Sequence, residues 1–496
     1  MLYKSTRSQE KASESAARVI KQGLAADGGL FVPESIPTLS LEDISALCRE
    51  PYAVRAAKIL SLFLSDYTYE ELLADCTEAY AESSFVGGAA PLVGIHDNFY
   101  SLELWHGPTA AFKDMALQIM PRLLSRALVK SGEERTALIL VATSGDTGKA
   151  ALEGYRDVDR VKIMVFYPVD GVSHVQKLQM STQTGGNVNV CAIEGNFDDA
   201  QNGVKEIFGD ASMAKALDEK GYFFSSANSI NWGRLAPQIV YYVSAYCDLI
   251  ESGKCKLGDS FNVCVPTGNF GNIFAAYLAK QMGLPIKNMI CASNSNNILT
   301  DFLRTGVYDR NRDFYLTMSP SMDILISSNL ERLLYFVAGS EKTAAYMKSL
   351  KETGRYEVEP AVLKEIQTTF AGYFADEAQT SEMIRKTYEK YGYLADTHTA
   401  VAICAAEEYV KETGDALPMV IDSTASPYKF ANNVYRAVSG KEPASDLDAL
   451  DELSALTKTE IPYPLAGLAQ RKVNFKKVVD RTEMAKAVLD YLDCQN

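Results

Sequence analysis

The sequence predicts an α/β fold in which short parallel strands are covered by helices on both faces. Six short apolar runs lack polar alternation and are separated by helical or polar stretches, which is typical of buried parallel strands. Two of these runs lead directly into a glycine turn and then into a helix, and no internal repeat or low-complexity block is present. The six runs lie at residues 138–142, 161–166, 188–193, 261–265, 289–292 and 419–421.

Length and composition limit the possible classes of protein. A chain of 496 residues is too long for one hydrophobic core, so two or three domains are expected. Its hydrophobic content of 47% and charged content of 23% are those of an ordinary soluble globular protein. The net charge of −14 argues against nucleic acid or an anionic membrane as a partner.

The distribution of cysteine and histidine predicts a cytoplasmic protein without a metal site. The nine cysteines are scattered and never spaced C-x-x-C, and the four histidines are isolated, so free thiols in a reducing compartment are expected. Residues 1–22 contain charged side chains and no apolar core of a signal peptide. Residues 260–279 are uncharged, but proline, glycine and asparagine interrupt them, so a strand and a helix are predicted there and not a membrane span.

The chain divides into five predicted regions. Two amphipathic runs at 14–22 and 53–64 predict a helical beginning, which a Gly-Gly-Ala-Ala-Pro stretch ends. A later stretch is rich in Leu, Lys, Glu and Tyr and poor in strand signal, which predicts a helical insertion. The regions are a mostly helical N-terminal domain at 1–94, an α/β domain at 95–260, a second α/β part at 261–298 and 394–440, a helical insertion at 299–393 and a helical tail at 441–496.

One lysine lies in an uncharged stretch, within the segment ELWHGPTAAFKDMALQ that begins at Glu103. No carboxylate or ammonium occurs from His106 to Phe112, and Lys113 follows a Gly-Pro turn at the start of an apolar helical run. Burial there would lower its pKa, giving a free amine that can form a Schiff base with a carbonyl. The alternative is a solvated lysine in the first turn of a helix, with Asp114 serving only the helix dipole.

Two strand–turn–helix units offer backbone N–H groups to an anion. One contains TSGDTG at 143–148 and the other PTGNFGN at 266–272. The first is too short for a P-loop and has Ala150 where that motif needs Ser or Thr, and the second lacks the G-x-G-x-x-G spacing. Either could be only a tight connection. Together with Lys113 they suggest a phosphate-bearing cofactor that is joined to an amine.

These segments resemble those of threonine synthases, which are pyridoxal-phosphate lyases of the tryptophan-synthase-β fold group. The resemblance implies the fold type II of these enzymes, with two doubly wound open sheets, a helical N-terminal region and a helical insertion. It also implies pyridoxal 5'-phosphate as cofactor and conversion of O-phospho-L-homoserine and water to L-threonine and phosphate, by γ-elimination and β-addition. Further matching segments are DGGLFVP at 27–33, EGNFDD at 194–199, SANSINWGR at 226–234, DTHTAV at 396–401 and STASPYKF at 423–430.

The resemblance also implies roles for individual residues. Lys113 would bind the cofactor as a Schiff base and then move protons at the α and β carbons of the substrate. Thr424 would meet the pyridine nitrogen, with Ser423 as the neighbouring candidate and an N-cap as the alternative role of either. The cofactor phosphate would be held by backbone N–H groups, with glycines permitting close approach and positive φ. The residues of this cradle are Gly268, Asn269, Phe270, Gly271 and Asn272.

Two further segments are expected to contact the substrate. A guanidinium suits a phosphate or carboxylate, although Arg234 could equally pair with a local carboxylate, and Asp146 could be only a turn former. Lys149 is predicted as a surface lysine, and His398 as either structural or catalytic. The expected substrate residues are Ser144, Asp146 and Thr147 in the first glycine turn, and Asn228, Ser229, Asn231 and Arg234 before the next helix.

The sequence departs from the usual family pattern at four positions. Ser426 and Tyr428 stand where His and Ala are usual, Thr397 replaces a Pro and Trp105 replaces a Phe. The first two bear on substrate preference and leave the chemistry intact. Two alternatives stay open, namely a dehydratase or β-replacement enzyme of the same fold, and a non-catalytic paralogue that binds a phosphorylated ligand. A monomer or a small homo-oligomer is expected.

Overall fold

The computed structural model describes residues 1–9, 13–143, 145–170 and 172–493. Two open sheets form its framework, and two small antiparallel sheets lie outside them. The small sheets pair β1 (Tyr3–Ser5) with β2 (Phe31–Pro33), and β11 (Val307–Asp309) with β12 (Arg355–Glu357).

One open sheet has five parallel strands. They are β5 (Thr136–Ala142), β6 (Val161–Pro168), β7 (Val188–Glu194), β8 (Tyr222–Ser225) and β15 (Val478–Asp480). Their order across the sheet is β15-β7-β6-β5-β8. Side chains of β5, β6 and β7 are buried on both faces, which explains why their sequences do not alternate.

The other open sheet has six strands. They are β3 (Leu92–His96), β4 (Phe99–Glu103), β9 (Phe261–Pro266), β10 (Ile286–Ser293), β13 (Phe370–Phe374) and β14 (Met419–Ser423). Their order is β13-β10-β9-β14-β4-β3, and every neighbouring pair is parallel except the β3–β4 hairpin.

Helices cover these sheets and form the N-terminal region. The first four surround a core to which the chain returns later, and none of the described helices is long and apolar enough to cross a membrane. They are α1 (Ala16–Gln22), α2 (Leu41–Cys48), α3 (Tyr52–Phe63), α4 (Tyr69–Ala79), α5 (Asp114–Leu117), α6 (Met120–Lys130), α7 (Asp146–Tyr155), α8 (His174–Ser181), α9 (Phe197–Gly209), α10 (Ala211–Glu219), α11 (Trp232–Leu235), α12 (Pro237–Glu251), α13 (Gly271–Gln281), α14 (Ile298–Thr305), α15 (Leu330–Ala338), α16 (Ser340–Thr353), α17 (Pro360–Gln367), α18 (Glu377–Tyr391), α19 (Thr397–Thr413), α20 (Ala431–Ser439), α21 (Asp448–Thr457) and α22 (Met484–Asp493).

Trp232 joins the N-terminal region to the body of the protein. Its side chain has no exposed surface and lies between the rings of Tyr3 and Phe63, with centroids 5.3 and 5.7 Å away. Burial of a large side chain contributes about 1.5–3 kcal/mol, and aromatic contacts of this kind add about 0.5–1.5 kcal/mol. The N-terminal strand and helices are therefore packed firmly beside the segment that precedes α12.

The expected α/β class and the six predicted strands are confirmed, as β5, β6, β7, β9, β10 and β14. The structure corrects three of the predicted regions. The predicted boundary at residue 94 falls inside β3. β3 and β4 belong to the six-stranded sheet, so the sheet predicted to begin at residue 261 also contains strands that precede the five-stranded sheet in the chain. The insertion at 299–393 contributes the edge strand β13, and the tail at 441–496 contributes the edge strand β15. These short segments thus become strands because they hydrogen-bond to the edge of an existing sheet.

Candidate active site

The carboxyl ends of β4, β14 and β9 lie side by side, because these neighbouring strands are parallel. Ligands of open α/β sheets bind beyond this edge. β14 continues into Thr424, β9 into the turn at 266–272, and β4 into a loop that ends at Lys113. A 2.8 Å hydrogen bond from the Phe112 N–H to the Thr424 carbonyl holds that loop against the end of β14.

Lys113 is almost fully buried directly before α5. The pKa of its amine is lowered to about 8, chiefly by burial and further by the cations Arg234 and Lys429, with Asp146 opposing the shift. Its nitrogen lies 5.1 Å from the ring centroid of Phe112. This burial excludes the alternative of a solvated lysine and makes the free amine accessible much nearer neutral pH.

Asp114 closes the turn in front of Lys113. Its role is therefore not limited to a favourable interaction with the helix dipole. Its carboxylate has no exposed surface and accepts hydrogen bonds from the Thr109 N–H at 2.8 Å and the Thr109 hydroxyl at 2.7 Å. Burial raises the pKa of Asp114 to about 7. Gly107 is required opposite it, because a Cβ there would lie 2.5 Å from Asp114 Oδ2. The Gly-Pro turn therefore fixes the direction from which Lys113 enters the site.

The turn after β9 offers an unbroken row of free backbone donors. Thr267 N–H bonds to the sheet and Ile273 N–H bonds to the Asn272 side chain, but the five N–H groups from Gly268 to Asn272 donate to no described group. These groups lie at the N-terminus of α13, where the helix dipole also favours an anion. The predicted cradle residues therefore present one continuous row of free donors, and their binding of an anion stays a prediction.

The glycines of this turn do not supply its positive φ, contrary to expectation. Phe270 does so, with φ at 63°, and it is fully buried. Gly268 is needed for close approach instead, because a Cβ there would lie 2.5 Å from the carbonyl oxygen of Ser321. The turn is also held from outside, since Asn269 O accepts from the Asn329 N–H at 3.0 Å and from Asn329 Nδ2 at 2.8 Å.

The first glycine turn is a poorer anion site. The Thr143 hydroxyl accepts hydrogen bonds from the N–H groups of Gly145 at 3.0 Å and Gly148 at 2.9 Å, so these donors are occupied. Thr147 is half-buried in the first turn of α7, while the predicted substrate residue Ser144 lies outside the described residues.

Asp146 contacts a lysine that the sequence analysis missed. Lys429 Nζ lies 2.9 Å from Asp146 Oδ1 and donates to Gln179 Oε1 at 2.8 Å, and both charged side chains are buried. Although burial raises the pKa of Asp146, the cations Lys429 and Lys113 hold it well below its usual range. Asp146 is therefore an ionised member of the site and not only a turn former. No other charge occurs at 423–435, a signal similar to that of Lys113.

Thr424 and Ser423 differ in the freedom of their hydroxyls. Ser423 Oγ accepts from Trp105 Nε1 at 3.0 Å and lies 3.0 Å from the Thr399 hydroxyl. Thr424 is also buried, but its hydroxyl makes no hydrogen bond within the described part of the chain. Of the two candidates, Thr424 is thus the one available to a ligand.

Arg234 is buried without an anionic partner. Its Nη1 donates to the Ala227 carbonyl at 2.8 Å, its Nε has no partner, and no described carboxylate lies within ion-pair distance. Burial lowers its pKa to about 10. The alternative of pairing with a local carboxylate is therefore not realised, and a buried cation in this state is suited to an anionic ligand.

The polar residues before Arg234 have unequal access to the site. Asn231 Nδ2 donates to the carbonyls of Ile20 at 2.9 Å and Ser226 at 3.1 Å, while its Oδ1 caps α11. These contacts use the whole amide to join α1 to the loop. Asn228 is exposed and Ser229 is half-buried. Contact of Asn228 and Ser229 with the substrate stays a prediction, whereas the amide of Asn231 is occupied by the chain itself.

The other singled-out residues have structural contacts. His398 Nε2 accepts from the Ser321 N–H at 3.1 Å, so its Nδ1 carries the proton and donates to Asp396 Oδ1 at 2.9 Å. Lys149 is buried and pairs with Glu153 at 3.0 Å, so its expected surface position is wrong.

Both unusual residues near Lys429 have internal partners. The Ser426 hydroxyl accepts from the Tyr428 N–H at 3.3 Å, and the Tyr428 hydroxyl donates to the Thr459 carbonyl at 2.8 Å. They stabilise the short turn that brings Lys429 into the site. No group of side chains suited to a metal ion occurs among the described residues.

Three family models match this chain. They are "Threonine synthase N terminus" at residues 2–80, "Pyridoxal-phosphate dependent enzyme" at 88–420 and "Threonine synthase, C-terminal" at 399–489. Threonine synthase of Pseudomonas aeruginosa is 41% identical over 481 residues, covering 95% of this chain and 98% of that protein. Human threonine synthase-like 1 is 40% identical over 88% of this chain, which spans only 59% of that relative's length.

Solved structures agree with this similarity. The pyridoxal-phosphate-bound threonine synthase of Brucella melitensis is 37% identical, with a TM-score of 0.88 and coverage of 100% of this chain and 99% of that one. Yeast threonine synthase is 33% identical, with a TM-score of 0.89 and the same coverage. The two-sheet fold and its helical additions are therefore shared with these enzymes.

Proposed function

We propose, because the chain belongs to the threonine synthase family of pyridoxal-phosphate-dependent enzymes, that it converts O-phospho-L-homoserine and water to L-threonine and phosphate. One observation carries the proposal. A buried lysine with a lowered pKa shares a sheet edge with a row of free N–H donors, and a buried arginine, which has no anionic partner among the described residues, acts electrostatically on that lysine.

The donor set fits pyridoxal 5'-phosphate. The free N–H groups of Gly268, Asn269, Phe270, Gly271 and Asn272 would hold its phosphate, and the unpartnered Thr424 hydroxyl would meet its ring nitrogen. Lys113 Nζ would bind its carbonyl carbon. When bound, the cofactor supplies a reactive carbonyl and an electron-withdrawing ring that stabilises negative charge beside the substrate's amino group.

Lys113 would also move the protons of the reaction. A substrate amine that displaces Lys113 would release its Nζ as a neutral amine, and because burial lowers the pKa to about 8, a much larger fraction stays unprotonated than for an exposed lysine. Nζ can then accept a proton from the α carbon and act again at the β carbon. Thr424 is neutral, so it stabilises a protonated ring nitrogen less than a carboxylate would. More of the charge must therefore be handled by the protein groups around Lys113.

The cationic residues would select the phosphorylated substrate. Arg234 retains an unpartnered Nε, and we propose that its guanidinium binds an anionic group of the substrate, with the γ-phosphate as first choice. Asp146 and Thr147, with Ser144, Asn228 and Ser229, are proposed as further substrate contacts. Asp146 would fix the amine of Lys429 in the same site.

Burial of these groups would keep bulk water away from the reacting carbons. Lys113, Asp146, Arg234 and Lys429 all have at most a small exposed fraction. Elimination of phosphate leaves an unsaturated carbon chain that must meet one water molecule at its β carbon. We further propose a cytoplasmic location, supported by eight described cysteines that are all free thiols. A monomer or small homo-oligomer stays our expectation.

A product assay tests the proposal. Purified protein with pyridoxal phosphate and O-phospho-L-homoserine should release threonine and phosphate in equal amounts, and Lys113→Ala should abolish both. Serine and threonine, offered separately, report a dehydratase through the 2-oxo acids that it forms. Efficient 2-oxo acid formation without threonine would identify the dehydratase alternative. Binding of phosphohomoserine without any turnover would identify the non-catalytic one.

A further inference from the structure

A buried carboxyl group lies behind the phosphate cradle and has no role in the chemistry described above. Asp422 is on β14, has no exposed surface, and its Oδ2 lies 2.7 Å from the Tyr242 hydroxyl. The same hydroxyl lies 3.0 Å from the carbonyl oxygen of Asn272, the last cradle residue. Asp422 Oδ1 has no hydrogen-bond partner in the described part of the chain. The hydrogen-bonded series Asp422–Tyr242–Asn272 thus connects β14 to the start of α13.

The hydroxyl of Tyr242 has one hydrogen but lies within hydrogen-bond distance of two oxygen atoms, Asp422 Oδ2 and the Asn272 carbonyl. If Asp422 were ionised, that hydrogen would go to the carboxylate, and the Asn272 carbonyl would lose its contact with Tyr242. If Asp422 is a neutral acid, its own O–H donates to the Tyr242 oxygen, and Tyr242 donates to Asn272. Only the neutral form satisfies both short contacts.

The surroundings of Asp422 favour the same form. No cation among the described residues faces Asp422. The titratable groups that face it are Tyr241 and Tyr242 on α12 and Cys264 on β9, each with a pKa raised by burial. A buried carboxylate with one hydrogen bond and one unpartnered oxygen is costly, so such a group normally becomes neutral. Burial accordingly raises the pKa of Asp422 to about 8.

We propose that Asp422 is a positioning residue kept as a neutral carboxylic acid, which directs the Tyr242 proton to the Asn272 carbonyl and so orients the phosphate cradle. The role toward the cofactor phosphate rests on the proposed function. The protonation state does not, because it follows from contacts within the chain.

Infrared spectroscopy of the cofactor-free protein near pH 7 tests the protonation state. The wild type should show the carbonyl band of a neutral carboxylic acid that is missing in Asp422→Asn. Subtracting the spectrum of Asp422→Asn from that of the wild type removes the band of any other protonated carboxyl group, such as Asp114, because both proteins retain it. Identical spectra in this region would overturn the proposal, whatever the protein does with a cofactor.

Cofactor titration tests the positioning role. Asp422→Asn has a neutral amide that can still donate to Tyr242, so its affinity for pyridoxal 5'-phosphate should stay within about twofold of wild type. Asp422→Ala and Tyr242→Phe remove the directed bond and should weaken affinity about three- to tenfold. Pyridoxal, which lacks the phosphate, should bind all four proteins nearly equally. Circular dichroism and unfolding midpoints confirm that each variant is folded.

The two variants at Asp422 separate the hypotheses. If a folded Asp422→Asn binds as weakly as Tyr242→Phe, an ionised carboxylate is required and the proposal is wrong. If Asp422→Ala does not fold, Tyr242→Phe and Asp422→Asn still give the comparison. Failure of every protein to bind pyridoxal phosphate would instead contradict the proposed function, while the infrared band continues to decide the state of Asp422.

Discussion

Arg234 and Lys429 are both buried cations, but among the described residues only Lys429 has a carboxylate partner. A paired charge such as Lys429 is already balanced by Asp146, whereas Arg234 keeps an unpartnered Nε beside Lys113. Burying an unbalanced cation is unfavourable unless a ligand supplies the opposite charge. Arg234 is for this reason the residue at which selection of an anionic substrate is best tested.

Arg234→Ala should depress turnover of O-phospho-L-homoserine far more than slow turnover of serine or threonine. Loss of a charge-assisted contact costs about 1.5–3 kcal/mol, or roughly one to two decades in kcat/KM. The side reactions should fall only slightly, because these substrates have no γ-phosphate. Both rates are measured on one cofactor-saturated preparation. Equal losses would mean that Arg234 is structural or binds the carboxylate that all three substrates share.

The sequence could indicate the position of Lys113 but not that of its ionic neighbours. An uncharged stretch behind a Gly-Pro turn is a local signal, and the burial of Lys113 agrees with it. The pairing of Lys429 with Asp146 joins segments that are far apart in the chain, so no spacing rule can predict it. Likewise, only the three-dimensional structure distinguishes the occupied hydroxyl of Ser423 from that of Thr424, which has no described partner.

The glycine cradle is the element that connects the fold to the proposed cofactor. Its two glycines do different work, because a Cβ on Gly268 would meet backbone at 2.5 Å, whereas the nearest atom to a Cβ on Gly271 is Asn329 Nδ2 at 3.5 Å. Backbone cannot move aside as easily as the end of a side chain. The two positions therefore form a matched pair for an experiment.

Gly268→Ala should weaken the affinity for pyridoxal 5'-phosphate about tenfold or more, because overpacking against Ser321 costs about 1–3 kcal/mol and shifts the free N–H groups. Gly268→Asp should weaken it further by placing a like charge beside the phosphate. Gly271→Ala is the matched control and should stay within about twofold of wild type. Affinity is measured by absorbance titration, with circular dichroism to verify folding. Comparable losses at both glycines would refute the close-approach explanation.

Elements differed in how well the sequence predicted them. The central strands β5, β6, β9 and β14 are buried on both faces, so their continuous apolar runs were visible. Edge strands carry no such signal. In β15, for example, only Val479 is buried, and β3 is largely exposed at its beginning. Such segments become strands because a neighbouring strand offers free backbone groups, which is a tertiary effect.

At the scale of the whole molecule, Arg332 links three distant parts of the chain. Its Nε donates to the Phe31 carbonyl at 3.0 Å and its Nη2 to the Ile230 carbonyl at 2.6 Å, while its Nη1 donates to Asn329 Oδ1. Asn329 in turn holds the carbonyl of Asn269 in the cradle. The N-terminal strand, the loop before Arg234 and the insertion are thereby fixed relative to one another, which division of the sequence into consecutive domains could not show.

Arg332→Met should destabilise the protein and weaken cofactor binding together. The guanidinium has no exposed surface, and its removal takes a donor from the buried Phe31 carbonyl, the half-buried Ile230 carbonyl and the Asn329 side-chain oxygen. Each unsatisfied group costs about 1–3 kcal/mol, partly offset by relief from burying a charge, so a net loss of about 2–4 kcal/mol is expected. Arg332→Lys should be nearly as damaging, because one ammonium cannot span three acceptors that the planar fork reaches.

Arg385→Met is the matched control for this experiment, because Arg385 pairs with Glu382 at the surface, with exposed fractions of 47% and 61%. Such pairs contribute about 0–1 kcal/mol, so its unfolding midpoint and cofactor affinity should stay close to wild type. Urea unfolding of the cofactor-free proteins measures stability, and absorbance titration measures affinity. Because Arg332 reaches the cradle only through Asn329, Asn329→Ala should reproduce the loss of affinity with a smaller loss of stability. If Arg332→Met matches Arg385→Met in both measurements, the three segments are held together by apolar packing alone.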